Sequence, residues 1–262
     1  MILRRFRHHL SGQDWFAVGL DVLVVIVGIF LGMQVTDWNE ERKQKASLQA
    51  YYDLLLSDLN EELSDWTNTR IYYQRTRQYG IQALEHMERG DALDPAQIVA
   101  LYQASQTMIP AHYQTAYTEI SAHGLISLIP DKTFKRQLSF HYSNLDSITS
   151  MNLINTRYRS YLRAYFDFSI RETIHSQCGD RAFVDENGFS RFKMPETCDL
   201  DLSEQQIEKQ EALLQAYSDM NIDLRNHLAT IDYILTDINF AIESSSSLRD
   251  SILHVLKSGT AQ

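Results

Sequence analysis

Three sets of residues have types and spacings that could do chemistry. The first is Asp21, the single acid within an otherwise apolar run from Ala17 to Val35. A carboxylate inside a bilayer costs a few kcal/mol near the centre, and it normally faces a partner or a water path. Asp21 lies about 6 Å along a helix axis past Ala17. Hydration at the interface, a bond to a neighbouring helix, and a part in ion movement in the manner of stator-like subunits therefore all stand as readings. The second set is Cys178 and Cys198, the only two cysteines. They flank one irregular segment and fit a disulfide, which in the chain-entropy model would stabilise a loop of this length by roughly 3 kcal/mol. A metal site built from His175, Cys178 and Cys198 is the competing reading, and it lacks a fourth ligand and paired spacing. The third set is the scattered histidines, with His112, His123 and His141 the most placed to touch something; a lone histidine on a helical bundle reads as a surface or satisfied core residue. The acidic run Asp58-x-x-Glu61-Glu62 reads as a solvated helix face. No Gly-rich phosphate loop, His-Glu-x-x-His, paired Cys-x-x-Cys or nucleophile elbow occurs, so the sequence gives no positive support for catalysis and implies no cofactor.

The element that must position Asp21 is residues 15–38. Ala17 to Val35 is 19 residues with two polar interruptions, Asp21 and Gln34, and at a helical rise it covers roughly 28 Å, about a bilayer core. Trp15 and Trp38 stand at its two ends as interfacial belts. Asp21, Val25, Gly28 and Gly32 follow at steps of three and four, which puts them on one helical face, and Gly28-x-x-x-Gly32 there reads as a helix-packing face. Arg4, Arg5 and Arg7 precede the run in residues 1–14. That stretch reads as a cytoplasmic stub before a signal anchor, because the apolar run is long for a cleaved signal and no small-x-small site follows it. Arg42, Lys43 and Lys45 just beyond the span balance the three arginines, so the expected orientation, with the N-terminus cytoplasmic and the rest periplasmic, rests also on the short N-terminus and the cysteine pair.

The remainder, residues 39–257, reads as a helical bundle. The chain has only 4 Pro and 10 Gly among 262 residues, which favours long helices. Residues 37–262 carry 21 basic and 32 acidic side chains, a balance that excludes nucleic acid as a partner. From Asn39 to about Arg89, Leu48, Tyr51, Tyr52, Leu55, Leu59, Leu63, Trp66, Arg70 and Tyr73 define a buried stripe on one long helix continuous with the span. Gly90-Asp91 ends it, and Asp94-Pro95 starts a shorter helix with Asp94 as N-cap. Another short helix closes at Gly124, and Pro130-Asp131 begins a second long helix expected to reach about His175.

At these residues the chain resembles a family of uncharacterised bacterial single-pass membrane proteins. The resemblance is carried by Val24-Val-Ile-Val-Gly-Ile-Phe-Leu-Gly-Met-Gln-Val-Thr-Asp-Trp-Asn-Glu-Glu-Arg42, by Thr115-Ala-Tyr-Thr-Glu-Ile-Ser-Ala-His-Gly-Leu-Ile-Ser-Leu-Ile-Pro-Asp-Lys132, and by Leu138-Ser-Phe-His-Tyr142. It covers roughly residues 17–145, with Asp21 where the family more often has Glu. The family is a domain of unknown function, so the resemblance implies a topology and no reaction.

Residues 178–199 break the helical pattern, with a hairpin expected between Phe183 and Phe192 turning at Asn187-Gly188. Ser203-Glu-Gln-Gln206 is a capping box that opens a last helix expected to run to Lys257. Its apolar stripe includes Leu224, Leu228, Ile231, Leu235, Ile238 and Ile242. Residues 258–262 read as a tail. The expected fold is all-α: one transmembrane helix continuing into a long antiparallel bundle with a small disulfide-stapled insert. The expected partners are the lipid bilayer and either a second copy or another membrane protein. A ligand-sensing bundle is the alternative.

Overall fold

A computed structural model describes residues 15–111, 113–151 and 155–259, with residues 15–17, 146, 147, 149–151, 258 and 259 described by backbone only. The 1–14 stub, the Trp15 ring, His112, the Met151 and Ile154 side chains and the last three residues lie outside this description. The helices are α1 (Trp15–Arg89), α2 (Pro95–Ala104), α3 (Thr115–Ala122), α4 (Lys132–Met151), α5 (Arg157–Ala164), α6 (Phe168–Cys178), α7 (Glu204–Gln215) and α8 (Met220–Gly259), with a 3-10 turn at Leu125–Leu128. A two-stranded antiparallel ribbon, β1 (Arg181–Val184) and β2 (Ser190–Lys193), is the sheet structure among the described residues. The all-α expectation with a small hairpin insert holds.

The chain divides into two units, Met1–Tyr51 and Tyr52–Gln262. In the first unit the helix from Val18 to Val35 is apolar apart from Asp21 and Gln34, and its large apolar side chains are 45–63% exposed. Among the described residues α1 is the one helix long and apolar enough to cross a membrane.

In the second unit the core gathers around α2. All eight residues from Gln97 to Ala104 are buried, as expected for a helix covered on every side. Asp94 caps it by accepting the Gln97 N–H at 2.6 Å, with Pro95 at the first helical position. Three longer elements pack alongside one another. Residue numbers fall along α1 as they rise along α8, through Glu88 with Arg225, Arg77 with Asp232, and Glu62 with Ser245. The two helices are therefore antiparallel, as the sequence predicts for the outgoing and returning rods. α4 runs parallel to α1, placing Phe134 against Tyr52 and His141 against Glu62, and it packs on α8.

Two of the expected long helices are broken. The stretch from Asp131 to His175 divides into α4, α5 and α6, because side chains seize the free N–H groups where a new helix can begin. Thr156 accepts from the Arg159 N–H and opens α5. Asp167 accepts from Ser169 and Ile170 and opens α6. The last helix breaks at Ala216–Asp219, where the Tyr217 and Met220 N–H groups reach back only three residues and the Tyr217 hydroxyl donates to Asp223 at 2.7 Å. The capping box at Ser203 and Gln206 is present. On α8, Leu224, Leu228, Ile231 and Ile238 of the expected stripe are buried, while Ile234 takes the buried place expected for Leu235, which is half-buried beside it.

The hairpin turns through Asp185–Phe189. The Asp185 carboxylate accepts the Asn187 and Phe189 N–H groups, and Gly188 takes a φ of 88°, a left-handed conformation open to glycine at no steric cost. Cys178 and Cys198 are joined as a disulfide with a Cα–Cα distance of 5.5 Å, and Gln103 anchors the Cys178 carbonyl from α2 at 2.8 Å.

Candidate functional site

The carboxylates of α1 expected to face water face inward. Asp58, Glu62 and Asp65 lie at helical spacing beside the apolar stripe of Leu55, Leu59 and Trp66, so folding the stripe inward carries the acids with it. Each is met by donors. Asp58 accepts the Ala116 N–H at 2.9 Å near the start of α3, and Asp65 accepts the Ala111 N–H at 2.6 Å. Burial raises the carboxyl pKa of both, against the lowering effect of these backbone bonds. The solvated-face reading of this run is therefore corrected: a run of acids is solvated only when its periodicity differs from that of the apolar stripe.

Glu62 sits at the centre of one cluster. It is 1% exposed, and it accepts from Ser245 Oγ at 2.5 Å and from His141 Nε2 at 3.0 Å. The other ring nitrogen, Nδ1, lies 3.0 Å from Ser244 Oγ. This links a hydroxyl, an imidazole and a carboxylate, the order of groups found in acyl-transfer sites. The surroundings do not suit that chemistry. His141 is 3% exposed, and Ser244 lies inside α8, where backbone N–H groups are spent on the helix and leave no pair aimed at an oxyanion. The cluster acts as a polar clasp across α1, α4 and α8. The Tyr142 phenol, stacked on Tyr117 at 4.3 Å, is buried beside it, and burial first, then the Glu62 and Asp58 charges, push its pKa up.

Arg191 on β2 forms a second cluster. Its guanidinium, 3% exposed, reaches Asp65 at 2.9 Å, Asp185 at 3.0 Å, Glu61 at 3.3 Å and the Tyr113 hydroxyl at 2.7 Å. Burial lowers the guanidinium pKa, but the Tyr113 bond and the nearby carboxylates outweigh it and leave the group more firmly charged. One cation thus fastens the hairpin to α1. A third buried group is His227, whose Nε2–H donates to the Ala104 carbonyl at 2.8 Å while Nδ1 accepts from the Thr156 hydroxyl at 2.7 Å. Burial pulls its pKa down to about 4, so the ring stays neutral.

The residues singled out from sequence fall elsewhere. Asp21, Val25, Gly28 and Gly32 share one face of α1 and are exposed, and a Cβ added at Gly28 or Gly32 meets nothing within 4 Å. Trp38 is exposed, with the Arg42 guanidinium 5.9 Å from the centre of its ring. His123 is exposed on its own helix end, and His175 lies in the last turn of α6. Cys178 and Cys198 are spent on each other, which leaves the metal reading without thiolates. Among the described residues no group of three or more His, Cys, Asp or Glu side chains is arranged to hold a metal.

No family model, curated protein or solved structure matches this chain. The site's reading therefore rests on the geometry above. Glu62, His141, Ser245, Arg191 and His227 were not singled out together from sequence. Their signal was available in part: acids at 58, 62 and 65 recur with the same period as the apolar stripe.

Proposed function

We propose that the chain is a non-enzymatic, single-pass inner-membrane protein whose helical domain lies outside the cytoplasm and makes protein–protein contacts. It works there as a homo-oligomer or as an accessory subunit of a membrane complex. The observation that carries this reading is the uncovered apolar helix from Val18 to Val35, with the small residues Gly28 and Gly32 open on one side. Lipid would cover most of that surface, and the glycine face would admit a second helix backbone at close range. The Cys178–Cys198 disulfide supports an oxidising compartment for the domain. The resemblance of residues 17–145 to uncharacterised single-pass proteins supports the same topology.

The test is native mass measurement of the full chain in lipid nanodiscs, together with disulfide cross-linking of Gly28→Cys and Gly32→Cys variants. Cross-linked dimers, or a stoichiometric co-purifying membrane protein, are expected. A strict monomer without cross-links or a companion would overturn the proposal.

A further inference from the structure

Beyond its contacts, the second unit carries a cleft that no part of the reading above uses. It encloses about 400 Å³ between α1 and the stapled hairpin, within the range of small-molecule sites. Three cations line it: Arg75 from α1, Arg181 from β1 and Lys193 from β2. Ile71, Phe192 and Pro195 supply apolar wall, and Ile71 and Phe192 are about half exposed.

The charge arrangement is unusual for a chain of net charge −10. Arg181 and Lys193 stand directly opposite each other in the ribbon register, and like charges at such a pair are destabilising. The Arg181 guanidinium, as distinct from its backbone in the ribbon, has no hydrogen-bond or ion-pair partner among the described residues. Arg75 reaches Glu196 at 3.2 Å through one terminal nitrogen, while its other, Nη1, is buried and donates to nothing among the described residues. Glu196 is the lone carboxylate of the lining. Its side chain is 85% exposed, and an exposed pair of that kind holds weakly. Two cations held face to face and a third with a spare donor make a site whose repulsion a bound anion would relieve.

The walls of the cleft are fixed from behind. Arg191, next to Phe192, ties β2 to the acids of α1, Asn68 donates to the Phe192 carbonyl at 3.1 Å, and the disulfide closes the segment that carries Pro195 and Glu196. Such a preformed site loses little conformational freedom on binding. We propose that this cleft binds a small organic dianion, its charged head held by Arg75, Arg181 and Lys193 and its apolar body laid on Ile71 and Phe192.

The experiment is calorimetric titration of the full chain in nanodiscs with phenyl phosphate, with inorganic phosphate and benzyl alcohol as the head-only and body-only arms. Saturable binding of phenyl phosphate is expected, tighter than inorganic phosphate, with no binding of the alcohol. Arg181→Glu and Lys193→Glu, both at exposed ribbon positions, should each weaken it at least ~10-fold, or about 1.4 kcal/mol, with the far-ultraviolet spectrum unchanged. No saturable binding up to about 5 mM phenyl phosphate, a range that reads millimolar affinities, would overturn the proposal. So would unchanged affinity in both variants, or benzyl alcohol binding as well as phenyl phosphate. A strict monomer, without cross-links or a companion, that binds phenyl phosphate would sink the contact reading and leave this one standing.

Discussion

One helix, α1, carries two opposite distributions of side chains. Between Val18 and Val35 it exposes apolar groups on every side, and between Asp58 and Asp65 it buries carboxylates. The difference teaches that burial follows what surrounds a helix face, and that residue class decides only what the burial costs. In the upstream segment no element of the chain covers the apolar surface among the described residues, and a hydrocarbon solvent would make that arrangement favourable. Downstream, aqueous surroundings drive the stripe of Leu55, Leu59 and Trp66 inward, and the acids that share its period are buried with it. They are tolerated because Ala111, Ala116, Ser245, His141 and Arg191 bring donors to them.

If buried acids hold only through their partners, removing one partner should hurt far more than removing a surface ion. Arg191→Met leaves Asp65 and Glu61 without their cation at a dry position, so a loss of about 3–5 kcal/mol is expected in denaturant unfolding of the second unit. A change below about 1 kcal/mol, the level of a surface pair, would mean that water reaches these acids and that the comparison fails.

The next effect is smaller and depends on pH. His227 has a folded pKa of about 4 against an ordinary value of 6.5. As pH falls below 6.5 the unfolded chain takes up this proton and the folded chain does not, so His227's contribution is complete above pH 6.5 and is lost progressively toward pH 4. The expected loss across that window is about 3 kcal/mol. His227→Gln should flatten this part of the stability profile, and an unchanged slope would show that the ring is hydrated or charged in the fold. The smallest effect sharpens the contrast from the other side. Arg77 and Asp232 pair across α1 and α8 at 2.5 Å with both side chains about half exposed. Arg77→Ala should lower the unfolding free energy, read by denaturant titration, by no more than about 1 kcal/mol.

Much of the architecture could be read from residue order. The stop at Gly90, the Asp94-Pro95 start, the Ser203 capping box, the Asn187-Gly188 turn and the cysteine pair are local signals, each decided by a few neighbouring residues. The helix breaks near 156, 167 and 217 were not legible, because the apolar residues Ile148, Met151, Ile154, Tyr158, Leu162, Phe166 and Ile170, and again Leu214, Tyr217 and Leu224, recur at helical spacing through them. There one side chain, such as Asp167 or Thr156, outweighs a pattern spread over many residues. The buried clusters were hidden for a different reason. Glu62 meets Ser245 across 183 positions, and Arg191 meets Asp65 across 126, so no local spacing records the pairing.

The Glu62 clasp also limits how the second unit can move. Its carboxylate takes one bond from α8 and one from α4 at the same level of the bundle. Sliding α8 by one helical turn, about 5.4 Å, would carry Ser245 out of reach and set the carboxylate against apolar neighbours. Axial, piston-like displacement of these three helices would therefore leave a buried carboxylate without its donors, at the cost of an unpaired charge.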